Sequence, residues 1–336
     1  MPLPGREGNA RTAARGSGIV AGHMDRATQA CYGGRIVRST TGGPMAGIVA
    51  ELLDILDLAP LGADRFRGES LQTGWFRVFG GQVVAQALVA ASRTVPETRP
   101  PHSLHAYFLL GGDPKAPIDY AVERIRDGGS FATRRVVASQ HDRAIFAMSV
   151  SYHDAQEGVV HQATMPDVPP PEAVAEAPAA AAQAASAGAA IPAPILSYFG
   201  RKRPIELRPV EIERYLRRAP RNPRFHVWMR AVDRLPDDLA IHRAVLAYAS
   251  DMTLLDATLI PHGQTVFDGE IQSASLDHAL WLHRPFRADE WLLYAQDSPS
   301  AGGARGFARG QIFSRDGTLV ASVAQEGMIR PRRAEA

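Results

Sequence analysis

The chain repeats itself. Ser103-Leu104 is matched by Ser275-Leu276, Phe131-Ala132 by Phe307-Ala308, and Ile145-Phe146-Ala147 by Leu319-Val320-Ala321, at offsets of 172, 176 and 174 residues. Such a nearly constant offset describes an internal duplication whose unit is too long for a solenoid. Each unit carries a helix that is apolar almost all round. In the first half it is Val83–Thr94; in the second it is Asp238–Leu255, within the stretch Ile241–Ala257 (IHRAVLAYASDMTLLDA). A surface helix keeps a polar face, whereas one apolar on most sides is wrapped by other structure. Strand-like runs follow each helix: Ser103–Leu110, Ile118–Arg126, Phe131–Gln140 and Ala144–Tyr152, then Gln272–His283, Trp291–Gln296, Gly306–Phe313 and Leu319–Ile329. Turn signals such as Asp127-Gly128-Gly129 punctuate them. The expectation is two copies of one α+β unit, each an antiparallel sheet curled around a long apolar helix. Joining the two sheets edge to edge would cover edges that a lone curled sheet leaves open.

Around these units the composition changes. Residues 1–44 are rich in Gly, Arg, Ser and Thr without apolar periodicity, and are expected to be disordered. A short amphipathic helix, Ile48–Leu58, opens a first domain over 45–153. Residues 154–204 contain Pro169–Pro194, nearly all Ala and Pro, and read as a linker and domain boundary. A second domain covers 205–330, with possible strands at Ile205–Val210 and His226–Ala231 before its helix.

Charge and cysteine usage exclude several classes of function. The formal charge is +2, but residues 1–44 contribute +4, leaving the rest at −2, so the folded body is not a basic nucleic-acid binder. A single cysteine, Cys31, excludes an intrachain disulfide framework and a cysteine-rich zinc site, and suits a reducing, cytoplasmic setting. No apolar run approaches the ~18–20 residues of a membrane span. The C-terminal residues RRAEA are not a peroxisomal address.

The halves differ where polar residues fall on apolar surfaces. Along the last strand Leu319, Ala321, Val323, Gln325, Gly327 and Ile329 share one face, apolar except for Gln325. A buried amide left unsatisfied costs ~1–3 kcal/mol, so Gln325 needs a partner or a task; the matching residue in the first half is Ser151. Asp251, near the end of the second apolar helix, has no acidic counterpart, because aligning Ala249-Ser250 with Ala91-Ser92 sets Arg93 opposite it. A carboxylate there must be paired, hydrogen-bonded or held near the neutral form. In the Gln272–His283 run, Ser273, Ser275, Asp277, Ala279, Trp281 and His283 share one face and His278 lies on the other, which argues against a metal site. Polar chemistry confined to one copy suggests one active site per chain.

At this point the chain resembles the acyl-CoA thioesterase II family, the double hot-dog thioesterases. The segments FGGQVVAQAL (Phe79–Leu88), DGGSFATRR (Asp127–Arg135), YASD (Tyr248–Asp251), ASLDHALWLHRPF (Ala274–Phe286), EWLLY (Glu290–Tyr294), ARGFARG (Ala304–Gly310) and LVASVAQEG (Leu319–Gly327) carry the resemblance in order. It implies a tandem double hot-dog fold and hydrolysis of medium- to long-chain fatty acyl-CoA by directly attacking water, without a cofactor. It places the catalytic set on Asp251, Ser275 and Gln325, and favours a homo-oligomer. No G-x-S-x-G elbow occurs and Cys31 lies in the N-terminal extension, so a covalent nucleophile finds little support. Basic residues are expected near the CoA phosphates, with Arg284, Arg305 and Arg309 as candidates. Trp281, Leu254 and Tyr248 are candidates for the acyl tunnel. The competing readings are a hot-dog enoyl-CoA hydratase or dehydratase and a non-catalytic acyl-CoA sensor. A hydratase would need a His–carboxylate pair, and His242 lies nine residues before Asp251, a poor spacing on a helix.

Overall fold

The structure, a computed structural model, describes residues 47–71, 76–186, 193–215 and 219–332. The 1–44 segment and Cys31 lie outside them. Helix α1 (Ile48–Leu56) buries Val49, Leu52, Ile55 and Leu56. Strands β1 (Ala59–Gly62) and β2 (Arg65–Gly68) form a short hairpin that the sequence reading missed. Helix α2 (Gly80–Ser92) is buried from Gly81 to Ala91. Its two amides do not defeat that burial because they are bonded. Gln86 accepts from the Tyr120 hydroxyl at 2.7 Å and donates to the carbonyls of Ile55 and Glu69, while Gln82 reaches Ser70. Strands β3 (Pro101–Phe108), β4 (Ile118–Asp127), β5 (Phe131–Gln140) and β6 (Arg143–His153) complete the first half. The Ala/Pro-rich connection is partly helical, with α3 at Ala177–Ser186 and α4 at Ala193–Gly200.

The second half holds β7 (Ile205–Pro209), β8 (Phe225–Ala231), helix α5 (Leu239–Ser250), β9 (Ile271–Ser275), β10 (Asp277–Leu282), β11 (Leu292–Gly302), β12 (Arg305–Ser314) and β13 (Leu319–Pro331). Among the described residues the thirteen strands form one antiparallel sheet in the order β1-β2-β4-β5-β6-β3-β10-β13-β12-β11-β8-β7, with β9 on the far end of β13. The halves join edge to edge where β3 pairs β10, Ala106 opposite His278. Helices α2 and α5 pack on each other in one apolar core.

Two sequence expectations need correction, and both matter for the site. The second apolar helix stops at Ser250 rather than Leu255, with Asp251 as its C-cap. Thr253 then takes a left-handed φ of 67°, unusual for a β-branched residue, held by mutual hydrogen bonds with the buried Gln296. A short 3₁₀ turn, Leu254–Thr258, follows. The expected strand Gln272–His283 is also interrupted at Leu276. The β9 pairing sets Ser275 opposite Gly327, whereas the β10 pairing sets Ala279 opposite Ala324, a slip of one residue. Asp277 fills the irregularity by accepting from the Glu326 N–H at 2.7 Å. A one-residue slip exchanges the faces of everything beyond it. Ser275 therefore does not share a face with Trp281.

Candidate active site

Asp251 stands where three elements converge. It caps the C-terminus of α5, faces the N-terminus of α2, and meets the inward faces of β9 and β13. The C-terminal end of a helix repels a carboxylate, but the N-terminal end of another attracts one. A Cβ on Gly80 would lie 2.7 Å from Asp251 Oδ2, and one on Gly81 would lie 2.3 Å from the Tyr248 carbonyl. Only glycine permits this approach, and it brings the Gly81 N–H near enough to favour the ionised carboxylate. Gln325, fully buried at mid-strand in β13, donates from Nε2 to Asp251 Oδ1 at 2.6 Å, and the nearby Ser275 hydroxyl favours the ionised carboxylate.

Burial pushes the Asp251 carboxyl up to about 6, against the lowering effect of Gln325, Gly81 and Ser275 in that order. Only an acceptor suits Gln325 Nε2–H, so the amide oxygen faces away from Asp251. That oxygen, Oε1, is buried without a hydrogen-bond partner among the described residues. The half-buried Phe108 ring stands with Asp251 Oδ2 at Gly80, and the half-buried Phe79 ring stands over Gly81, packed edge-on to Tyr248 at 5.0 Å. A base held near neutral pH, an open acceptor beside it and an apolar surround are suited to taking a proton from a water attacking an apolar substrate.

The structure brings Asp251, Ser275 and Gln325 together with Tyr248 beside them, and leaves Trp281 and the three arginines elsewhere. Trp281 lies on the outer sheet face, packed against His105 at 5.1 Å, because of the slip at Leu276. Arg305 and Arg309 also point outward: Ala308 pairs with Gln325 facing in, so its odd-numbered neighbours face out, bonded to Glu326 and Asp297. Arg284 donates to the carbonyls of Leu319 and His161. His242 is buried and its Nδ1 accepts from the Ala288 N–H, so it forms no pair with Asp251. Among the described residues no His, Cys, Asp or Glu cluster is suited to a metal ion, and no helix is long and apolar enough to cross a membrane. Sequence reasoning missed Phe108, whose ring meets Gly80 where Gly80 approaches Asp251.

Similarity to known proteins follows this architecture. A solved protein with a hot dog fold from Alicyclobacillus acidocaldarius superposes with a TM-score of 0.65, covering 84% of this chain and 99% of that one; at 19% identity the likeness shows the fold alone. The chain therefore has the hot-dog fold, built on one large antiparallel sheet. Residues 69–153 match the model of the acyl-CoA thioesterase N-terminal domain, and residues 197–328 match the acyl-CoA thioesterase model. Human acyl-coenzyme A thioesterase 8 is 40% identical over 82% of this chain and 88% of its own length. Acyl-CoA thioesterase 2 of Haemophilus influenzae is 38% identical over 85% of this chain and 99% of its own. The solved acyl-CoA thioesterase II of Mycobacterium marinum is 43% identical, with a TM-score of 0.68, covering 84% of this chain and 98% of that one. The chain belongs to the acyl-CoA thioesterase II family.

Proposed function

We propose that the protein hydrolyses medium- to long-chain fatty acyl-CoA to the free acid and CoA by direct attack of water, with Asp251 as general base. The observation that carries this reading is the 2.6 Å hydrogen bond from Gln325 to Asp251, on a carboxylate whose ionised form Gly81 and Ser275 also favour. Asp251 accepts one proton of the water as its oxygen bonds to the thioester carbon. Gln325 Oε1 accepts a hydrogen bond from the same water's other proton, and Ser275 fixes its position. Placement of this kind supplies much of the rate in a water-attack mechanism. Collapse of the tetrahedral species expels the CoA thiolate, which takes the proton held by Asp251 and leaves as the thiol.

The aromatic side chains Phe79, Phe108 and Tyr248 beside Gly80 and Gly81 support an apolar acyl group lying beside α5. Burial of α2 and α5 supports a sheet that curls around each in turn, one per half-chain domain, with 154–204 linking them. A homo-oligomer working in the cytoplasm accords with the exposed Tyr107 and Phe131 and with a single cysteine.

The test is thiol release from acyl-CoAs of graded chain length by wild type and Asp251→Asn. Turnover by wild type and a loss of about 10² or more in the variant supports the reading, since general-base catalysis supplies roughly 10²–10⁴-fold. Near-normal turnover by the variant would remove Asp251 from its role. Hydration of an enoyl-CoA with no thiol release would replace the hydrolase with a hydratase.

A further inference from the structure

Next to the constellation lies a buried histidine that the mechanism does not use. His278 on β10 is fully buried, and its Nε2 lies 2.8 Å from Oγ of Ser250, itself fully buried. Ser250 is the last residue of α5, immediately before Asp251. Its hydroxyl donates to the Ala247 carbonyl at 3.0 Å, which uses the only proton it has. His278 must then carry its proton on Nε2 and donate to Ser250 Oγ. The Ser250 carbonyl accepts from the Tyr294 hydroxyl at 2.9 Å. Side chains of two strands thus hold both the hydroxyl and the carbonyl of the residue that carries the chain into Asp251.

We propose that His278 is a positioning residue for Asp251, acting through Ser250 to fix where the end of α5 presents the carboxylate to Gln325, Ser275 and Gly81. The proposal rests on the reading of Asp251 as the base. An apolar residue would fill this site without leaving a ring nitrogen unbonded, yet Nδ1 of His278 is buried with no partner among the described residues. His278 also sits one position before the Ala279–Ala324 pair, which places it beside Gln325 on the same inward face. Burial lowers the ring to about 4, so it remains neutral and aligns the carboxylate without adding charge to the site. The titratable groups that share the field of Asp251 are Tyr198 on α4, Tyr248 on α5 and Tyr294 on β11, all kept protonated by burial.

The experiment compares His278→Leu, Ser250→Ala, the double variant and His278→Gln, with melting curves to establish that each folds. Each single variant is expected to lower kcat about tenfold or more at nearly constant KM, as for an interaction realised in the transition state. The acid limb of the kcat profile moves to higher pH, because a carboxylate that loses donors holds its proton more tightly. The double variant is no slower than the slower single one, since both remove one linkage. His278→Gln, whose amide N–H replaces Nε2–H, recovers most of the rate. Nitrogen-15 spectra of labelled histidine should show the Nε2–H tautomer of neutral His278. That readout does not depend on turnover and separates this inference from the assignment of the base, which Asp251→Asn tests. A folded His278→Leu enzyme with an unchanged kcat and acid limb, multiplicative losses in the double variant, or an Nδ1–H tautomer would each overturn the proposal.

Discussion

Gly80 and Asp251 approach so closely that a single methyl group on the glycine would stand 2.7 Å from the carboxylate oxygen Oδ2 and 2.9 Å from the Phe108 ring. Gly80 is the first residue of α2, and Asp251 follows the last residue of α5. The contact therefore joins one half's central helix to the other half's chemistry. Gly80→Ala should leave the fold in place while displacing the carboxylate. A misplacement of about 1 Å at a reacting centre can cost 10²-fold, so kcat/KM for thiol release should fall at least tenfold with little change in melting temperature. Equal activity in the two proteins would mean that the carboxylate is not held where the chemistry needs it.

The raised Asp251 carboxyl sets the pH dependence of both rate and stability. A general base works when ionised, so kcat should fall as pH drops through about 6. For stability the sign is reversed. The folded state holds this proton up to about pH 6 and the unfolded state only to about 3.8. The contribution of Asp251 is thus most favourable below the lower value and is lost as pH rises through the upper one. At neutral pH the ionised group costs on the order of 1–3 kcal/mol, discounted for its partial exposure. Asp251→Asn should be more stable than wild type in urea at pH 7.5, and the advantage should vanish near pH 4. A variant that is less stable at pH 7.5 would show that the carboxylate is net stabilising.

Gln325 can be tested by changing charge at nearly constant shape. Gln325→Glu replaces the donor 2.6 Å from Asp251 with a second carboxylate. Two carboxylates in one site cannot both ionise readily, so one holds its proton well above the usual range. Activity at pH 7 should fall by about 10² and recover partially at higher pH, whereas Gln325→Ala should lose rate without that recovery. Parallel pH profiles for the two variants would separate Gln325 from the base.

The repeat offset located both halves, and the face of β13 carrying Gln325 was legible because strand alternation was unbroken there. Asp251 was legible by contrast with Arg93, and the two residues cap the equivalent helix ends. The slip at Leu276 was not legible: alternation carries no signal of an inserted residue, so Trp281 was assigned to the wrong face. The early end of α5 was hidden for a similar reason. Met252, Leu254 and Leu255 extend the apolar pattern while the backbone leaves the helix at Thr253. The short hairpin β1–β2 has too few residues for periodicity to appear.

Arg134 separates stability from chemistry. It is 1% exposed, and its guanidinium donates to the Thr94 hydroxyl and carbonyl, the Arg126 and Thr133 carbonyls, and Asp127 Oδ1 at 2.6 Å. These bonds fasten the chain just beyond α2 to the β4–β5 hairpin. Arg134→Met leaves the buried Thr94 hydroxyl and carbonyl without this donor, while Asp127 is exposed enough to be solvated, so the loss is about 1–3 kcal/mol. Lysine lacks the planar fork and can satisfy only part of the set, so Arg134→Lys should recover less than half of the stability. The affected acceptors lie at the opposite end of α2 from Gly80 and Gly81. The folded fraction of either variant should therefore keep kcat within about twofold of wild type, since sites without shared partners behave independently. Urea midpoints beside steady-state kinetics check both halves of this expectation, and a large loss of kcat in fully folded Arg134→Lys would show that α2 transmits strain along its length to Asp251.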